Sequence, residues 1–111
     1  QNALSQKQFQ RAIQTLTQIL KYENKASVVY LMLSLAYANM NDVTNYEINI
    51  RKSLEIFPEY KDALVQYGYY KKNTGDLSNA RIYLEKYLAV NPADSKTREM
   101  LKSIEDSLKV K

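Results

Sequence analysis

The sequence predicts an all-α fold built from antiparallel helix pairs, and three observations predict it. The 111-residue chain repeats itself with a period of 34 residues. Its apolar residues recur with helical spacing, and no strand-like alternation competes. Turn residues fall at matching places between the periodic stretches. Pro58 and Pro92 lie one period apart, and each closes a helical pattern, SLEIFP and YLAVNP. Leu20, Leu54 and Leu88 form a column of identical residues at the same offset. So aligned are Leu16, Ile50 and Leu84; Ala12, Tyr46 and Ala80; Phe9, Val43 and Leu77; and Leu33, Tyr67 and Leu101. Chance supplies one such column, not a series at a single offset.

The elements follow in chain order. Residues 1–26 read as a partial repeat, mainly its second helix at 8–22, with Phe9, Ala12, Ile13, Leu16, Ile19 and Leu20 facing inward and residues 1–6 as the tail of a first helix. Residues 27–60 form a full repeat. Its first helix, 27–40, carries Tyr30, Leu33, Ala36 and Tyr37 on one side, and its second, 43–57, carries Val43, Tyr46, Ile50, Leu54 and Phe57. Residues 61–94 repeat the arrangement with helices at 61–73 and 77–90. Asn41-Asp42 aligns with Gly75-Asp76, which places each Asp near an N-cap, where its carboxylate satisfies free N–H groups. Pro58 and Pro92 follow the second helices, where proline stops a helix rather than kinking it. Residues 95–111 read as a capping helix, with Met100, Leu101, Ile104 and Leu108 inward and Lys, Glu, Asp and Ser elsewhere.

Composition removes most catalytic chemistry. The chain has no His and no Cys, so the commonest general base, the commonest metal ligand and every thiol mechanism are missing. Two glycines cannot build a Gly-rich phosphate loop. The acidic residues are scattered singly, without the pairing that acid–base hydrolysis needs. Sixteen Lys and Arg against twelve Asp and Glu give a net charge of +4 too diluted with acids to form a nucleic-acid tail. No apolar stretch approaches the ~18 residues that span a bilayer. Gln1 opens a polar, Gln-rich run rather than a signal-like segment.

These residues resemble the tetratricopeptide repeat (TPR), whose pattern is W-x2-L-G-x2-Y, A-x3-F and then P. The first full unit reads Tyr30-x2-Leu33-Ser34-x2-Tyr37, Tyr46-x3-Ile50 and Pro58. The second reads Leu64-x2-Tyr67-Gly68-x2-Lys71, Ala80-x3-Leu84 and Pro92, while the preceding half-unit keeps Ala12-x3-Leu16 with Asn24 where the proline would fall. The resemblance implies a right-handed α-solenoid of antiparallel helix pairs. Tyr46 departs from it by replacing the small residue that lets helices approach, so wider or shifted packing is expected there. Lys71 replaces an aromatic, for which Tyr69 and Tyr70 are the nearest substitutes.

The resemblance also implies a function. The first helix of each pair lines a concave face, and the expected groove residues are Val28, Leu31, Met32, Leu35, Val65, Gln66, Tyr69, Lys72, Asn73 and Met100. Such a groove suits a peptide or helix segment of another protein, with methionine adapting to shape and Tyr69 as an aromatic anchor. The competing reading makes Val28, Leu31 and Leu35 a broadened core stripe. Chaperone-binding members of the family hold a C-terminal carboxylate with inward Lys, Asn, Asn, Lys and Arg. Here the matching positions are Leu31, Leu35, Gln66, Lys96 and Met100, of which only Lys96 fits. In the register one unit earlier, Gln1, Met32, Asp62 and Gln66 match none of them. A chaperone-tail receptor is therefore disfavoured.

Tyr67-Gly68-Tyr69-Tyr70-Lys71-Lys72 mixes rings and bases as single-strand platforms do, yet Tyr67 belongs to a repeat column, so nucleic acid is disfavoured as a partner. The expectation is a non-catalytic protein-interaction module with no cofactor and no metal. The alternative is a structural segment, cut from a longer array or self-associating as a homo-oligomer through the apolar N-terminal face.

Overall fold

Among the described residues the chain forms six α-helices and no strand. The structure, a computed structural model, describes the backbone of residues 3–22 and 26–109 and the side chains of residues 6–18 and 26–109. Gln1, Asn24 and the side chains of Ile19, Leu20 and Tyr22 lie outside these. The chain divides into two compact units, Gln1–Pro58 and Glu59–Lys111.

The first unit holds α1 (Ala3–Tyr22), α2 (Ala26–Asn39) and α3 (Val43–Ile56). Leu16 of α1 packs with Val29 and Leu33 of α2, and Ile13 and Tyr30 close over them. On α3, Tyr46 and Ile50 are buried to 4% and 0% exposure. The Ser53 hydroxyl, fully buried, donates to the Ser27 carbonyl at 2.7 Å and ties α3 to the start of α2. Tyr46, the large residue at a small-residue position, is thus taken into the interior with its ring almost wholly covered.

The second unit holds α4 (Lys61–Asn73), α5 (Leu77–Val90) and α6 (Ser95–Lys109). Its centre is Ala80, Leu84 and Ile104, joined by Val65, Leu77, Met100, Leu101 and Leu108. The inward stripe expected for the capping helix is therefore the stripe that packs. Tyr67 is fully buried, its ring 4.7 Å from that of Tyr83 and 6.2 Å from that of Tyr70, centroid to centroid. Lys71 stands where the repeat pattern has an aromatic. Its ammonium lies 5.2 Å from the Tyr67 ring centre and 3.7 Å from an Asp76 carboxylate oxygen, so a cation on an aliphatic stem covers the ring instead.

The two turns between paired helices are copies of each other. Asn41 (φ 61°) and Gly75 (φ 87°) take the left-handed conformation that reverses a helix end. The Asp42 N–H then reaches back to the Tyr37 carbonyl, and the Asp76 N–H to the Lys71 carbonyl, both at 2.9 Å. Each Asp caps the next helix by accepting from a backbone N–H, that of Asn45 at 3.2 Å or Asn79 at 3.3 Å. The Asn side chains donate to the second carboxylate oxygens at 2.8 and 2.9 Å, which makes D-x-x-N a two-bond cap.

Two expectations change. Helix α1 begins at Ala3 rather than residue 8, because nothing in Ala-Leu-Ser-Gln-Lys interrupts a helix. Val43 and Phe57, expected on the inner stripe of α3, are 50% and 48% exposed. They stand at its two ends, and Phe57 has already left helical backbone at φ −135°. Ile56 and Val90, one period apart, are likewise exposed, at 51% and 39%. Each lies six residues past a buried residue, Ile50 or Leu84, which is about 240° around a helix and on its far side.

Candidate interaction surface

Helix α2 carries no charged residue from Ala26 to Asn39. A helix apolar all round is normally buried all round, but this one is not. Leu31 turns inward and is 6% exposed, and Leu35 is half-buried, whereas Val28 and Met32, one turn apart, are 46% and 49% exposed. The two sequence expectations for this helix therefore divide its residues. Leu31 broadens the core, and Val28 and Met32 form an uncharged apolar step open to water. At the helix end the Asn39 amide donates to the Leu35 carbonyl at 2.9 Å.

Helix α4 offers different chemistry. Gln66 and Asn73 are exposed, and Lys72 is half-buried. Val65 is half-buried and packs, with Met100 of α6, against the Ala80–Leu84–Ile104 cluster. These two residues face the interior of the unit more than the solvent.

Tyr69, also half-buried, is tied down. Its hydroxyl lies 2.8 Å from Thr97 Oγ1, and Thr97 is 1% exposed. Thr97 sits at the start of α6, where its backbone N–H donates to Asp94 Oδ1 at 3.1 Å and its hydroxyl to Asp94 Oδ2 at 2.9 Å. The Tyr87 hydroxyl donates to Asp94 Oδ2 at 2.7 Å and accepts from the Asn91 amide at 2.7 Å. Asp94 thus caps α6 and gathers groups from α5 and α6, with α4 joined through Thr97. These bonds, that from Tyr87 first, hold its carboxyl below the ordinary aspartate range. The same bond, followed by burial, pushes the Tyr87 hydroxyl above the usual tyrosine value. Sequence reasoning passed over Asp94 and Thr97. The signal was present, since D-x-x-T repeats the spacing of the two D-x-x-N caps.

Along α6, Glu99, Lys102, Ser103, Asp106 and Ser107 line an open depression of about 420 Å³. Among the described residues no group of three His, Cys, Asp or Glu could hold a metal ion. No helix of the described residues is long and apolar enough to cross a membrane.

Paired helices closed by repeated caps, with uncharged and polar surface on the first helices, define a helical-repeat interaction module. The sequence profile of the tetratricopeptide repeat matches residues 28–60 and again 61–94, so the chain belongs to the tetratricopeptide repeat family, a non-catalytic protein-interaction fold of the α-solenoid class. Among solved structures it is similar to the first TPR of Spaghetti (RPAP3), bound to the HSP90 peptide SRMEEVD. That likeness has a TM-score of 0.77 and covers 95% of this chain and 85% of the other, at 18% identity. It is a likeness of fold. No curated protein matches the sequence significantly.

Proposed function

We propose that this chain is a non-catalytic module that binds an apolar or amphipathic segment of another protein through the first helices of its repeats. The observation that carries this reading is the exposed pair Val28 and Met32 on a helix without charge. Leaving these two side chains 46% and 49% exposed forgoes roughly half of the about 1.5–3 kcal/mol that full burial of each would give, which a covering partner would return. Leu35 extends this face, and Gln66, Tyr69, Lys72 and Asn73 supply polar contacts on α4. Leu31, Val65 and Met100 face the interiors of their own units.

The structurally similar Spaghetti domain holds an acidic peptide, SRMEEVD. The residues here favour a different ligand, because Leu31, Leu35, Gln66 and Met100 occupy four of the five positions where a carboxylate clamp needs specific polar or basic groups. A segment recognised by apolar side chains suits them better than a charged terminus.

The test is capture with the full-length protein, followed by affinity measurement for the partner recovered. Met32→Asp should weaken binding at least about tenfold, the loss of one well-placed apolar contact, while helicity and melting temperature stay unchanged. Equal affinity in a folded Met32→Asp protein overturns the reading.

One observation favours a second reading, self-association or a longer array. Ala12 on α1 is exposed, although its counterparts one and two periods on, Tyr46 and Ala80, are 4% and 0% exposed. That face of α1 lacks the covering its equivalents have. Sedimentation at micromolar concentration tests the oligomer, and a strict monomer excludes it.

A further inference from the structure

We infer that Tyr69 is a one-way recognition group: its hydroxyl is spent as a donor inside the protein, so it accepts a hydrogen bond from a bound peptide and cannot give one. Asp94 caps α6 as a carboxylate and can only accept. Thr97 has a single hydroxyl proton, and Thr97 Oγ1 stands 2.9 Å from Asp94 Oδ2. Aiming that proton at Asp94 makes a charge-assisted bond, about twice as strong as a neutral one. Aiming it elsewhere would leave two oxygens face to face with no proton between them. The Thr97 proton therefore goes to Asp94, and across the 2.8 Å contact the Tyr69 hydroxyl must be the donor.

What Tyr69 offers outward is then fixed. The ring gives apolar contact, and the phenolic oxygen keeps acceptor capacity only. A peptide N–H, or the side chain of Asn, Gln, Arg, Lys or Trp, satisfies it. A carboxylate or a carbonyl oxygen placed there meets an oxygen with no proton to share. This rests on the binding function proposed above and names the ligand chemistry at one of its residues: an apolar peptide segment with a hydrogen-bond donor over Tyr69.

Two measurements test it separately. The first needs no ligand. Ultraviolet resonance Raman difference spectra of wild type against Tyr69→Phe isolate the Fermi doublet of Tyr69, whose intensity ratio distinguishes a donating hydroxyl from an accepting one. A donor signature that Thr97→Val abolishes is expected. An acceptor signature in wild type overturns the inference and leaves the binding function standing. The second selects a random twelve-residue peptide library, displayed on phage, against wild type and Thr97→Val. Wild-type peptides whose affinity falls on Tyr69→Phe should carry a donor residue at one position, with a fall of about three- to tenfold, the usual worth of one hydrogen bond. Thr97→Val, which frees the Tyr69 proton, should admit Asp or Glu at that position. Acidic residues selected there by wild type overturn the inference. A donor signature in the first measurement with no peptide selected in the second overturns the binding function beneath it. If Thr97→Val does not fold, Thr97→Ser retains the relay and must reproduce the wild-type spectrum and selection.

Discussion

Gly68 of α4 lies directly against Leu84 of α5: a β-carbon added to Gly68 would stand 2.5 Å from Leu84 Cδ2 and 2.8 Å from its Cγ. Leu84 is fully buried, so it has no room to swing aside. Gly68→Ala gains about 1 kcal/mol of helix propensity and meets an overpacking cost of about 1–3 kcal/mol. The clash should prevail, lowering stability by up to about 2 kcal/mol in thermal or urea unfolding. Leu84→Ala should cost less in the Gly68→Ala background than alone, a coupling that a double-mutant cycle reads directly.

At Gly75 the constraint is backbone alone, since nothing lies within 4 Å of an added β-carbon while φ is +87°. Gly75→Ala should lose about 1–2 kcal/mol, the left-handed penalty for an L-residue. The aligned Asn41, at φ 61°, should show a smaller loss on substitution by Ala, because Asn already carries part of that penalty. Equal melting temperatures for Gly75→Ala and wild type would contradict this account.

Ser53→Ala removes the 2.7 Å bond to the Ser27 carbonyl at a site with no solvent to replace it. The expected loss is about 1 kcal/mol, read by chemical denaturation. Hydrogen exchange should quicken at the start of α2 more than in α6.

The Asp94 cluster sets a pH dependence with two limbs. Asp94 has a carboxyl pKa lowered in the folded chain, chiefly by the Tyr87 hydroxyl. Its contribution is therefore complete above the ordinary aspartate value of about 4 and is lost as pH falls through the lower folded value. Tyr87 has a raised pKa, chiefly because its hydroxyl donates to Asp94. Its contribution is complete below about pH 10 and is lost as pH rises through the higher folded value. Melting temperature should fall at both extremes, and Tyr87→Phe should flatten the alkaline limb and weaken the acid one. Parallel profiles for the variant and wild type would show that the bond contributes nothing.

Much of this architecture is legible in the residues. The 34-residue columns place Ile50, Leu84, Ala80 and Tyr67, and the structure buries every one of them to 4% exposure or less. The Asn41-Asp42 and Gly75-Asp76 pairs mark the turns because left-handed backbone and N-cap oxygens each demand particular residue types. The outer ends of the stripes are less legible. Val43 and Phe57 share a helical phase with Ile50, but phase does not say how far along the axis a neighbouring helix reaches.

The surface divides the same way. Sequence alone determines that α2 is uncharged and that its apolar residues exceed one core stripe, because both are matters of identity and order. Tertiary structure decides which side chains leave the core: Leu31 goes in, while Val28 and Met32 stay out. It also decides that Tyr69 is tied to Thr97, a residue 28 positions away in the chain. Periodicity describes one helix at a time, whereas exposure and hydrogen-bond direction depend on which atoms other helices bring to the same place.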